Sequence, residues 1–271
     1  MSRHQLTEGA HVTVESEFRR APSARHVAVR HTSPGLGRIM VGCVGQSLFH
    51  GTKWLLVAAL AGVSLYAGLL AALRTIDPPG SALMLQRRLA GTEIEQRWVP
   101  LERISPNLVN AVIMSEDARF CEHKGIDFRE LEQAMEKAVE RGDRNVRGAS
   151  TISMQVVKNM FLWPDRDVVR KGLEMAMTPP MELVWSKRRV LEIYLNVAEW
   201  GPGVFGAEAA AQYHFEKPAA RLTAREAALL AVTLPNPFER IAGEPGPGLR
   251  RLAETIQARM RSAERHTRCV R

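Results

Sequence analysis

Residues 54–73 form a run of twenty without a single charged side chain, dominated by Leu, Ala, Val and Gly. At helical rise that length spans about 30 Å, the thickness of a bilayer's hydrocarbon core. The run predicts one membrane crossing. A cleaved signal peptide has a shorter apolar core nearer the N-terminus, and a buried core helix rarely lacks polar residues on every face. Up to Lys53 there are seven basic residues against three acidic ones. The positive-inside rule therefore puts the N-terminus in the cytoplasm and everything after Arg74 outside. Residues 1–53 read as a cytoplasmic leader, disordered over its Arg-, His-, Ser- and Pro-rich first part. Trp54 and Tyr66 suit interfacial or lipid-facing positions.

What remains has room for one substantial domain, expected over residues 78–265, and for no second large one. The net charge of +8 suits a nucleic acid, an anionic membrane surface or a diphosphate substrate, without choosing among them. Cys43, Cys121 and Cys269 are odd in number, widely spaced and without a Cys-x-x-Cys pair. They predict neither a disulfide framework nor a zinc site.

After the anchor, period-two alternation is scarce and the chain reads as mainly α. Asp77-Pro78-Pro79-Gly80 breaks any helix. Residues 81–89 could form an amphipathic helix near the bilayer, and residues 96–101 look extended. Ser105-Pro106-Asn107 opens the next helix, with Pro in the first turn. Asp127 to Glu130 starts another, which Gly142 ends, before a polar loop at residues 143–147. Trp200-Gly201-Pro202-Gly203 lacks the context of a nucleotide site and reads as a loop over or beside a cleft. Thr223-Ala224-Arg225-Glu226 is a capping box, and a basic helix over about residues 249–265 finishes the chain.

The densest chemistry is Ser115-Glu116-Asp117-Ala118-Arg119-Phe120-Cys121-Glu122-His123-Lys124-Gly125. Helical spacing would put Glu116 and Phe120 on one face, with Asp117 turned roughly 100° away. An aromatic wall beside Glu116 would desolvate the carboxyl and raise its pKa, the usual route to a carboxylate that trades protons near neutral pH. Taken alone, the same residues read equally as solvated helix-end charges with a capping histidine.

A second stretch is Gly148-Ala149-Ser150-Thr151-Ile152-Ser153-Met154-Gln155-Val156-Val157-Lys158-Asn159. In a helix starting near Ser150, Thr151, Gln155 and Lys158 share a face, offering a hydroxyl, an amide and an ammonium to sugar and phosphate oxygens. Alone, it reads equally as a capped helix with a solvated lysine. Arg170-Lys171-Gly172-Leu173-Glu174 by itself is an ordinary i, i+4 surface ion pair. In Lys187-Arg188-Arg189-Val190-Leu191-Glu192-Ile193-Tyr194-Leu195-Asn196, Leu191 and Leu195 form an apolar stripe, and most of the segment reads as structural.

These four stretches, in this order, resemble the signatures of the peptidoglycan glycosyltransferases (glycosyltransferase family 51). Glu116, Asp117, Phe120, His123 and Gly125 match the first, Glu-Asp-x-x-Phe-x-x-His-x-Gly. The second is Gly-Gly-Ser-Thr-Ile-x-x-Gln-x-x-Lys-Asn, with Ala149 in place of a Gly and Met154 where many members have Gln. Arg170, Lys171 and Glu174 match the third, Arg-Lys-x-x-Glu, and residues 187–196 the fourth. The resemblance implies a lysozyme-like, mostly helical domain behind one N-terminal anchor. It also implies polymerisation of lipid II into β-1,4-linked glycan strands in bacterial cell-wall synthesis, an inverting hexosyl transfer.

By that resemblance Glu116 and Glu174 are catalytic. Glu116 is the base on the acceptor 4-hydroxyl, and Glu174 either orients a basic residue or holds a divalent cation, Mg or Mn. Lys158, Arg170 and Lys171 would stabilise the diphosphate. Asp117, Phe120 and His123 would shape the base's surroundings, while Thr151, Gln155 and Asn159 would bind or position substrate. The implied partners are lipid II, the growing lipid-linked strand, the inner membrane and other cell-wall proteins, with the catalytic domain periplasmic. Nucleic acid is not expected, because the folded part would lie on the wrong side of the membrane and lacks a basic-aromatic reader pattern. The competing classes are a glycan-cleaving lysozyme-like enzyme and a non-enzymatic, membrane-anchored basic scaffold.

Overall fold

The computed structural model describes residues 36–142, 148–165 and 167–271. The disordered-leader expectation for residues 1–35 and the loop expected at 143–147 lie outside them. Helix α1 (Leu36–Leu73) begins well before the uncharged run. Within it Thr52–Leu73 is long and apolar enough to cross a membrane, and nearly all of that stretch is exposed. The chain divides into two compact units, residues 1–58 and 59–271.

The second unit is mainly helical. After the end of α1 come α2 (Ala82–Leu89), β1 (Glu95–Gln96), α3 (Pro106–Glu116), α4 (Phe128–Glu140), α5 (Ile152–Phe161), α6 (Val168–Val184) and α7 (Lys187–Val197). These are followed by β2 (Glu199–Gly201), β3 (Val204–Phe205), α8 (Ala207–Phe215), α9 (Ala224–Thr233) and α10 (Pro247–Met260). Short side-chain caps start most of these helices. Ser81, Ser105, Asp127, Asp167 and Ser186 each accept from a backbone N–H of the first turn, and Thr223 with Glu226 forms the complete capping box.

Helix α3 is the core's centre: Leu108, Ala111, Val112 and Ile113 are fully buried, and α9 and α10 pack against it. Ala227, Ala228 and Ala231 give α9 the small-residue surface that lets the helices approach closely. Helix α5 packs between α6 and α7 through Ile152, Val156 and Val157.

The segment expected as a loop over or beside a cleft, residues 200–206, is regular structure, and Glu199 at its start lines a cavity. The segment forms the hairpin β2–β3, joined by β1 into a three-stranded sheet of order β1-β3-β2, with Trp200 and Phe205 fully buried. Trp200 Nε1 donates to the Leu230 carbonyl at 3.2 Å, anchoring the hairpin to α9. Gly203 sits at φ +76°, and a Cβ there would meet the Glu93 carbonyl oxygen at 2.1 Å, so the tight turn needs glycine. Asn196 explains part of the fourth stretch: its side-chain oxygen accepts from Val99 N and its amide donates to Val99 O, both at 2.9 Å. It thus holds the extended segment as a neighbouring strand would.

Tyr66 is no free lipid-facing aromatic. Its hydroxyl donates to the Met177 carbonyl at 2.8 Å and its ring meets Phe161 edge-on. Trp185 Nε1 donates to the Leu70 carbonyl at 2.7 Å, and Arg189 reaches the carbonyls of Leu73 and Ile76 and the carboxylate of Asp77. The last turns of α1 are therefore bonded to α6 and α7.

Candidate active site

Helix α3 stops at Glu116 because Asp117 leaves helical geometry, at φ −162° and ψ 72°. The Asp117 carboxylate is captured elsewhere: Oδ2 accepts from the Ile152 N–H at 3.0 Å, and His123 Nε2 donates to both oxygens at 3.0 and 3.1 Å. Phe120 consequently lies beyond the helix, and the shared helical face expected for Glu116 and Phe120 does not form. Its ring is fully buried, packed edge-on to His123 with the Lys187 ammonium 4.3 Å from its centroid, and lines neither cavity beside Glu116. Phe120 and His123 therefore brace the loop from behind. Gly125, at φ +93°, closes the loop, and a Cβ there would come within 2.7 Å of Thr178.

Thr151 also differs from the expected polar face. It is the N-cap of α5, 3% exposed, accepting from Met154 N and donating to the Gly125 carbonyl at 2.5 Å. Helix α5 starts one residue later than the face-sharing pattern required. Gln155, Lys158 and Asn159 do turn together into one cavity of about 290 Å³, with Arg87, Tyr194 and Phe238 also in its wall. A second cavity, of about 240 Å³, is lined by Glu116, Asp117, Arg119, Ser150, Thr151 and Arg259.

Gln155 connects the two. Its Nε2 donates to Glu116 Oε2 at 3.0 Å, while Ser115 Oγ donates to Glu116 Oε1 at 3.4 Å. Glu116 keeps a solvent-facing edge but is otherwise enclosed, and that burial pushes its carboxyl above the ordinary carboxylate range. The bonds from Gln155 and Ser115 and the Lys158 charge pull it back, and Asp117 adds a smaller upward push. Burial likewise draws the Lys158 ammonium below the ordinary lysine range, opposed chiefly by Glu174 and less by Glu116. Lys158 thus stands within electrostatic reach of both glutamates, and it forms no hydrogen bond or ion pair among the described residues.

Glu174 is 2% exposed and accepts from Arg170 at 2.5 Å and from Lys171 at 2.8 Å, one on each oxygen. Lys171 also donates to Ser150 Oγ at 2.8 Å, tying α6 to the approach of α5. Two cations therefore hold one carboxylate, and Lys158 lies within electrostatic reach of both Glu174 and Glu116. Both oxygens of Glu174 are taken by cations, and the described residues hold no group of three His, Cys, Asp or Glu suited to a metal.

Two features escaped the sequence. Tyr194 of α7 donates its hydroxyl to Gln155 Oε1 at 3.0 Å, behind Glu116; its place in the fourth stretch was the available signal. Cys121 and Cys269 form a disulfide, which overturns the expectation of none. Folding brings the C-terminal turn onto the loop after Asp117, where His266 Nδ1 also bonds the Ala118 carbonyl at 2.6 Å. Sequence spacing alone does not reveal a contact across 148 positions.

The profile of the family described as Transglycosylase matches residues 83–261, which contain Glu116, Gln155, Lys158, Glu174 and Tyr194. The chain belongs to the transglycosylase family. It is 52% identical over 192 residues to the biosynthetic peptidoglycan transglycosylase of Agrobacterium fabrum, covering 71% of this chain and 84% of that relative. It is 54% identical over 207 residues to the protein of the same name from Rhodospirillum centenum, covering 76% and 89%. A third, from Rhodopseudomonas palustris, is 54% identical over 187 residues, covering 69% and 82%. This transglycosylase domain is the mainly helical, lysozyme-like one that the four stretches led us to expect.

Proposed function

We propose that this transglycosylase polymerises lipid II into β-1,4-linked glycan strands, with Glu116 as the general base. The observation that supports this is a desolvated Glu116 carboxyl bonded by the Gln155 amide, with Lys158 beside that amide in the adjoining cavity and within electrostatic reach of the carboxyl. Glu116 takes the proton of the acceptor lipid II 4-hydroxyl as that oxygen attacks the anomeric carbon of the growing strand. The bond from that carbon to the diphosphate breaks with inversion, and the bonding pair leaves on the diphosphate. Lys158, Arg170 and Lys171 stabilise the negative charge as it develops. Glu174 holds Arg170 and Lys171 in place, a role its two occupied oxygens support over metal binding.

Asp117 and His123 fix the loop under the base, with Phe120 packed behind them, while Asn159 contributes an amide to the groove. Thr151 acts by capping α5. The chain works as a single-pass protein of the bacterial inner membrane, with its N-terminus cytoplasmic and its catalytic domain periplasmic. A substrate with an isoprenoid tail stays in the bilayer, and confinement of both partners raises their effective concentration. The Cys121–Cys269 disulfide supports the outer location, since such bonds persist in oxidising compartments.

The test is incubation of the detergent-solubilised full chain with lipid II and a divalent cation, followed by product sizing. Growing glycan chains are expected. Release of muropeptides from isolated cell walls, with no chain growth, would instead make this a cleaving enzyme.

A further inference from the structure

We propose that Tyr194 is a positioning residue, selecting which end of the Gln155 amide faces Glu116 and so holding Glu116 in its base form. The inference rests on the assignment of Glu116 as the base and goes beyond it by identifying what keeps that base ready.

Tyr194 is 1% exposed, and its hydroxyl has one hydrogen-bond partner among the described residues, Gln155 Oε1 at 3.0 Å. Burial holds the phenol well above its ordinary pKa, so it stays protonated and must donate. With Oε1 committed to that proton, Nε2 points at Glu116 Oε2, 3.0 Å away. An amide turned the other way would set Oε1 against the carboxyl, favouring the protonated acid, and would leave the buried phenol proton facing an NH2 group. The phenol therefore decides a contest at Glu116. Burial and Asp117 favour the neutral acid, whereas the Gln155 donor and Lys158 favour the carboxylate.

The other charged groups near this carboxyl come from several elements. Arg119, Asp127, Glu130 and Arg259 line the same cavity, and Arg170, Lys171 and Glu174 act on Lys158. None of them touches the Gln155 amide. Besides Glu116 itself, the phenol is the one partner of that amide among the described residues, so removing one hydroxyl oxygen should move the titration of Glu116 without altering the charge of the site.

The experiment is the pH profile of lipid II polymerisation by the full chain in detergent, for wild type, Tyr194→Phe, Gln155→Ala and the double variant. The acid limb of kcat/KM should move to higher pH in Tyr194→Phe by roughly half to one unit, the equivalent of one ordinary hydrogen bond. The rate should recover towards wild type on the alkaline side. In the Gln155→Ala background the Tyr194→Phe change should move the limb no further, because Tyr194 acts through that amide. A uniform loss of rate with an unmoved limb, or an equal further shift without Gln155, would overturn the proposal. If Tyr194→Phe fails to fold, 3-fluorotyrosine at position 194 keeps the shape and donates more strongly. It should move the limb to lower pH, and an unmoved limb would count against the proposal. Failure of the base assignment itself is separate: the acid limb would then persist in Glu116→Gln.

Discussion

The Asp117 carboxylate accepts the backbone N–H of Ile152 at 3.0 Å, joining the end of the helix that carries Glu116 to the start of the helix that carries Lys158. Two functional groups 42 positions apart in sequence are thereby held in one frame. Replacing Asp117 by Ala strands a buried N–H and removes the partner of the His123 ring. The expected loss is about 1–3 kcal/mol for each orphaned group, read by thermal unfolding. Asp117→Asn retains an acceptor for Ile152 and should lose less.

The Cys121–Cys269 bond closes a loop of 148 positions onto the segment that contains His123. Removing such a link costs about 2–5 kcal/mol. Reduced wild type and Cys269→Ser should unfold at the same, lower temperature, and added reductant should leave Cys269→Ser unchanged. A melting temperature insensitive to reductant in the wild type would show that the bond contributes nothing.

Burial raises the folded-state pKa of Glu116, so the folded form holds that proton more tightly than the unfolded chain does. Its contribution favours folding below the ordinary carboxylate value and is lost as pH rises through the folded one. Glu116→Gln should therefore melt above wild type near neutral pH, with the gain shrinking as the pH falls through the raised folded value and gone below the ordinary value of about 4.5. A gain that grows on acidification would contradict the assignment.

Glu174 is ion-paired to two neighbours, Arg170 and Lys171, and Arg170 is 7% exposed. Glu174→Ala leaves an uncompensated buried guanidinium and should destabilise the chain by about 3–5 kcal/mol. Denaturant unfolding measures this directly. Lys158→Ala breaks no ion pair, so it should spare stability while cutting kcat by about 100- to 1,000-fold, the usual cost of one electrostatic stabiliser.

Much of this was written in local sequence. The helix starts follow from Ser, Thr and Asp caps, and the membrane stretch from an absence of charge, so both are legible one segment at a time. What was hidden depends on distant partners. The helix carrying Glu116 stops because Asp117 finds Ile152, and nothing near residue 117 signals that. Phe120 is thereby sent into the core, whereas the capping role of Thr151 was one of the two readings open in the sequence and is the one that holds. Cys269 meets Cys121 only once the C-terminal turn has packed beneath the loop. Tyr194 sat in plain view within the fourth stretch, yet the need of its buried hydroxyl for a partner pointed nowhere until α5 was placed against α7.

The most direct measurement is the rate of lipid II polymerisation by purified Glu116→Gln beside wild type, with unfolding curves showing that both are folded. The account predicts glycan chains from the wild type and a variant slower by at least about 100-fold. A variant that polymerises at the wild-type rate would remove Glu116 as the base.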